Sequence, residues 1–253
     1  MGKLHEILAV EPDREGIANK IMQETQQVFK SKHNLFQGGE KQLKMLEDTE
    51  DAKAVEEAAS ERQIMQTTVQ DRLDYTQEAI VNWLDTVFQK EVTNQTNAKA
   101  DLIVDGQTLA TDVPATFLLG LETKLKAIRN MYFQIPTLAP GVEWEEAFDE
   151  GDGVFRAKDV EIRSKTAKQI KSRVLYEATK EHPAQIEKWT EDSVVGHFRT
   201  SVTSSMLPAA EKAAILGRID KLIQATKQAR QRANNVDATD AKIASAIFGY
   251  INS

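Results

Sequence analysis

Apolar residues recur at helical spacing in five stretches of the chain. Ile17, Ile21, Val28 and Phe29 share one face of a segment that opens after Pro12, where Asp13 can cap the free amides of a first turn. This pattern predicts a helix over residues 13–33. A second stripe, Val69, Leu73, Ile80, Leu84, Val87 and Phe88, predicts a helix over 69–95, with Asp74 and Gln77 at capping-box spacing. In the third, Phe117, Leu118, Leu121, Leu125, Ile128 and Tyr132 lie between Pro114, suited to a first turn, and Pro136, which enforces a stop. Pro208 opens a fourth, with Ile215, Ile219, Leu222, Ile223 and Thr226 on one face. A fifth begins near Thr239 and repeats Ile243, Ile247 and Ile251 at four-residue steps. The short connection Asn234–Asp237 is expected to turn the fifth helix back onto the fourth. Each helix has one apolar stripe, so each must pack, most simply against another helix.

Elsewhere the period changes to two. Leu102, Val104, Gln107 and Leu109 flank Asp105-Gly106, a pair that favours a tight hairpin turn because both central residues need positive φ. This predicts a hairpin over 100–111. Val174, Tyr176 and Ala178 alternate, as do Val194, Gly196, Phe198, Thr200 and Val202, with Glu181-His182-Pro183-Ala184 as the connection between them. Gly151-Asp152-Gly153 turns Trp144–Phe148 back toward Val154-Phe155. Together these define a β-rich part over 137–206. Leu43–Met45 and Ile64-Met65 suggest a further strand pair, separated by an acidic linker expected to be an exposed loop or a frayed helix. No internal repeat or Pro/Gly-rich linker divides the chain. The expected fold is a single mixed α+β domain over 1–253, mostly helical, with antiparallel helix packing and a smaller antiparallel β-rich part.

Composition narrows the function classes. At 253 residues, with 41% hydrophobic and 28% charged residues, the chain suits an ordinary globular protein with a sizeable core. There is no cysteine, which excludes disulfides, thiolate catalysis and thiolate metal sites and fits a reducing cytoplasm. No apolar run approaches the ~20 residues needed to span a bilayer, so no membrane association is expected. The N-terminal residues lack a secretory pattern and the Ser or Thr of a myristoylation signal. A net charge of −7 works against nonspecific attraction to nucleic acid or anionic lipid.

Chemistry-bearing motifs are absent. The four histidines, His5, His33, His182 and His197, include no pair close enough in sequence to suggest zinc ligation. HExxH, GxSxG, GxxxxGK[ST] and GxGxxG do not occur, and Gly38-Gly39 and Gly151-Asp152-Gly153 read as turns. No cofactor is implied. The densest group of reactive side chains lies between Ile170 and Phe198. There Glu181 can orient the imidazole of His182 beside Pro183, and Tyr176, Glu177 and Trp189 complete a candidate pocket for a small enzyme or ligand-binding protein.

Charge segregation suggests another use. Residues 143–152 carry six acids and no base. Residues 156–180 carry eight bases and three acids, a balance of +5. The plainest reading is cross-strand pairing within one subunit. The sharper one is an acidic face with Glu143, Trp144, Glu145 and Glu146 that meets a basic face with Arg163, Lys165, Lys168, Lys171 and Arg173 on a neighbouring copy, closing a ring or continuing as a filament. The same cations would carry a third reading, nucleic-acid binding through the 156–180 stretch, which the acidic net charge disfavours. Trp83 is placed in a helical core; Trp144 and Trp189 are half-buried sheet residues or interface anchors.

The segments LYEATKEHPAQ and TEDSVVGHF resemble a group of bacterial proteins of unassigned activity. That resemblance implies a bacterial cytosolic origin and transfers no functional residue. The leading expectation is a cytosolic, non-enzymatic structural or scaffold protein acting by homo-oligomeric self-assembly, with itself as partner.

Overall fold

The structure, a computed structural model, describes residues 4–94, 98–178 and 182–234. In chain order these form α1 (Leu4–Ser31), a 3-10 turn (His33–Phe36), β1 (Gln37–Met45), α2 (Glu50–Ala59), β2 (Glu61–Gln63), α3 (Val69–Asn94), β3 (Lys99–Val104), β4 (Gln107–Pro114), α4 (Ala115–Phe133), β5 (Trp144–Glu146), β6 (Phe155–Ala157), β7 (Glu161–Tyr176), β8 (Gln185–Ser204) and α5 (Ala209–Ala233). All strand pairs are antiparallel, and the class is α+β. The elements divide between two compact units. The first takes the chain up to Glu24, Thr76–Gln134 and the residues from Lys212 onward; the second takes Thr25–Tyr75 and Ile135–Glu211.

In the first unit the predicted stripes meet. Leu118, Leu121 and Leu125 of α4 pack with Ile223, Ala225 and Ala229 of α5 and with Leu102 and Val113 of the β3–β4 hairpin, and Leu84, Phe88, Ile219 and Leu222 close around them. The hairpin turns at Asp105-Gly106 with φ of 49° and 81°, the left-handed geometry those residues suit. Trp83 is buried, with the Lys124 ammonium 4.9 Å from its ring centre. Arg129 holds Asp220 through two hydrogen bonds of 2.6 and 2.9 Å, tying α4 to α5. The expected fifth helix lies outside the described residues.

One helix start and one helix cap depart from the sequence reading, while α3 begins at Val69 as expected. α1 runs through Pro12 instead of beginning after it. The carbonyl of Leu8, four residues earlier, loses its amide partner, but Leu8 is exposed, so water can satisfy it. α3 is capped by Thr68 and Asp71, not Asp74 and Gln77: the Asp71 amide donates to Thr68 Oγ1 at 3.0 Å and the Thr68 amide to Asp71 Oδ2 at 3.1 Å. The box forms where the first free amides are, six residues ahead of the predicted pair.

The second unit is organised by a sheet ordered β2-β1-β8-β6-β5, with β7 also paired to β8. Phe29, Phe36, Val69 and Ile135 are fully buried in it, the two phenylalanine rings 5.7 Å apart. The acidic linker contains a true helix, α2. Thr49 Oγ1 accepts from the Ala52 amide, and Glu56 accepts from the Met45 amide of β1 at 2.7 Å. This bond ties an otherwise mostly exposed helix to the strand, and it holds the Glu56 carboxyl below its usual range.

Two outcomes test this packing. Leu118→Ala should cost about 2–5 kcal/mol in urea unfolding, because a fully buried side chain in a two-layer core leaves a cavity. The Arg129 hydrogen bonds hold the Asp220 carboxyl below the ordinary aspartate range. A pKa depressed on folding stabilises the protein above the unfolded value and is lost as pH falls through the folded one. Stability should therefore drop below about pH 4, and Asp220→Asn should make that acid limb shallower while lowering stability at neutral pH.

Candidate assembly surface

β7 and β8 pair along the whole of β7, from Glu161↔Thr200 to Tyr176↔Gln185, with bulges at Val195 and Leu175. β1 covers the other edge of β8 only from Gln37↔Ser204 to Met45↔Gly196, ending where the Leu46 amide donates to the Val195 carbonyl. Beyond that point, Thr166–Tyr176 and Gln185–Val194 form a two-stranded ribbon with no third strand among the described residues. At 3.3–3.4 Å per residue it is about 35 Å long.

The register sorts its side chains. One face carries Thr166, Lys168, Ile170, Ser172 and Val174 opposite Val194, Asp192, Thr190, Lys188 and Ile186. The other carries Gln169, Lys171 and Arg173 opposite Glu191, Trp189 and Glu187. On the first face Ile170, Val174, Ile186 and Val194 keep 76%, 53%, 50% and 44% of their surface exposed. Isolated two-stranded ribbons are at best marginally stable in water, and large aliphatic side chains gain nothing from pointing into it.

The charged candidates separate into two groups. The acidic block is answered within its own unit: Arg156 bonds Asp149 at 2.6 Å and approaches Glu150 at 3.6 Å, and Lys158 lies 3.4 Å from Glu143. Glu145 and Glu146 face Arg156 and Phe155 across the β5–β6 pair, and half-buried Trp144 donates to the Ala139 carbonyl at 3.3 Å. The Arg156 hydrogen bond depresses the Asp149 carboxyl. On β7, Arg163 pairs with Glu161 and Lys171 with Glu191, each at 2.6 Å. Lys165, Lys168 and Arg173 have no ion pair among the described residues.

Of the candidate pocket residues, Tyr176, Glu177 and His182 lie at the far end of the ribbon and Trp189 midway along it. Tyr176 is 71% exposed, Glu177 and His182 are exposed, and Trp189 stands across from Lys171 on the charged face. Glu181 lies outside the described residues. Among those residues no group of His, Asp or Glu could hold a metal ion, and no helix is long and apolar enough to cross a membrane.

A pocket of about 380 Å³ lies elsewhere in the second unit, lined by Arg62, Asp71, Glu150, Arg156 and Thr203 among others. Its two arginines converge on Glu150, at 3.5 Å from Arg62 and 3.6 Å from Arg156. The sequence reading missed it because Gly38-Gly39 was taken as a turn. Both glycines are interior to β1, and a Cβ on Gly39 would lie 2.5 Å from the Ser201 carbonyl oxygen. A glycine pair beside alternating residues is the signal that could have marked this close strand approach.

A family of unknown function, DUF7873, matches residues 1–253, and the chain belongs to it. No curated protein and no solved structure matches the chain.

Gly39→Ala should destabilise the second unit by about 1–3 kcal/mol, because the new methyl meets strand backbone that can move only with the sheet. Gly217→Ala, in α5 with open space around the added methyl, should instead stabilise by about 1 kcal/mol. Urea unfolding of both variants checks the opposite signs.

Proposed function

We propose that the chain is a non-enzymatic structural protein that acts by homo-oligomeric self-assembly in the bacterial cytosol. The observation that carries this reading is the β7–β8 ribbon, whose aliphatic side chains and strand edges are covered by nothing else among the described residues. The absence of cysteine accords with a reducing compartment. Nucleic-acid binding fits less well, because the β7 cations share their ribbon with Glu187, Glu191 and Asp192, which interrupt any continuous basic face.

A ligand-binding role has the pocket at Arg62, Glu150 and Arg156 in its favour. Its lining includes three acids, Glu40, Asp71 and Glu150, against two arginines, so a ligand there would need both donors and acceptors. Assembly is preferred because the ribbon demands a partner for its own stability, whereas the pocket's charges already satisfy one another.

Native mass spectrometry and light scattering at low salt and micromolar concentration test the proposal. The expected result is a defined oligomer or a concentration-dependent series. A clean monomer throughout would overturn it.

A further inference from the structure

We infer that copies of this chain join heterologously, the free edge of β7 in one copy pairing with the free edge of β8 in the next, so that ribbons add into one continuous antiparallel sheet. The inference rests on the self-assembly reading and specifies its interface.

Three observations lead to a second copy and to this orientation. The ribbon has two open edges: among the described residues β7 is unpaired on its outer side along its whole length, Glu161–Tyr176, and β8 over Gln185–Val194. Their charges are opposite. The β7 edge carries Arg163, Lys165, Lys168, Lys171 and Arg173 against a single acid, Glu161, whereas the β8 edge carries Glu187, Glu191 and Asp192 against a single cation, Lys188. Lysine-rich edges resist pairing with copies of themselves, so two β7 edges repel. Two β8 edges bring acids to acids. Only β7 against β8 sets unlike charges across the new pair, which fixes the partner and the orientation.

The third observation is the bulge at Val195, where β1 gives out. It leaves the β8 edge continuous from there to the tip, and no strand of the same copy covers it among the described residues.

Direction follows from the hydrogen-bond pattern. If the neighbour's β7 runs antiparallel to β8, every ribbon points the same way and the relation between copies repeats. That contact is not self-complementary, so it closes into a ring or extends as a filament, according to the rotation between copies. The alternation along the ribbon also puts every aliphatic face on one side of the new sheet. Val174 and Ile186 of successive copies then form one continuous aliphatic row, and Ile170 and Val194 alternate with Thr190 and Thr166 in two others, so each gains lateral neighbours that a lone ribbon lacks.

Because the chain has no cysteine, single thiols report the pairing without background. Ser172→Cys marks β7 and Lys188→Cys, at the same height across the ribbon, marks β8; the two full-length variants carry tags of different mass and are oxidised to disulfides, alone and after co-expression, a bond that reaches between adjacent strands (~4.8 Å) but not between equivalent residues two strands apart (~9.6 Å). Heterologous pairing predicts cross-linked species containing both tags in the mixture and at least tenfold less cross-linking in either variant alone. Efficient cross-linking of either variant by itself would mean an isologous contact and would overturn the inference. If native mass spectrometry shows oligomers but neither variant nor the mixture cross-links, assembly stands and the ribbon edges are not its interface. If both variants and the wild-type chain are monomeric, the self-assembly reading falls, and this inference with it.

Discussion

Strand β8 is bonded on both edges over only part of its length, and the second unit is arranged around that fact. From Gly196 to Ser204 it has β1 on one side and β7, then β6, on the other. This stretch sits at the centre of the sheet, and the approach is so close that Gly39 and Gly196 face backbone atoms across the β1–β8 pair at distances no Cβ would tolerate. Toward the tip the same strand has β7 alone. A strand anchored at one end in a core and free at the other cannot slip in register, because moving it one residue would turn Gly196 and Phe198 out of their places beside Met45 and Leu43. The rigid base therefore fixes where each ribbon side chain points.

Much of the helical part was legible in the sequence because periodicity and proline act locally. Pro114 and Pro136 bracket α4, and Pro208 opens α5, within one to three residues of the observed ends. The Asp105-Gly106 turn was readable for the same reason. Capping was not, since Thr68–Asp71 and Asp74–Gln77 both fit the spacing and only the helix's actual first turn chooses between them. Pro12 misled because its cost depends on whether the freed carbonyl meets water, which is a tertiary property.

The ribbon was only half legible. Alternation at Val174–Ala178 and Val194–Val202 marked strands, and the turn between them was placed at Glu181–Ala184, but the length of β7 was not foreseen: Lys165, Lys168 and Lys171 break the apolar alternation that identifies a half-buried strand. That break is itself physical. A strand with water on both faces has no buried side to enforce a period of two, so its composition follows edge and face electrostatics instead. The candidate pocket residues Tyr176, Glu177, His182 and Trp189 lie on this same exposed ribbon and its tip, where solvated strands concentrate reactive side chains, and Glu181 lies outside the described residues.

Charge segregation along the chain has two physically different outcomes here. The acids of 143–152 are local to β5 and the following turn, and β6 brings Arg156 and Lys158 to them across a short hairpin, so their field is largely spent inside the unit. The cations of β7 are carried outward by a long strand, away from that block; Arg163 pairs with Glu161 on the same strand and Lys171 with Glu191 across the ribbon. Pairing within one ribbon leaves each strand's outer edge with the sign of its own side chains. The ribbon is therefore polarised across its width, basic along one edge and acidic along the other, and it keeps that polarity because the strand pairing that neutralises net charge cannot neutralise both edges at once.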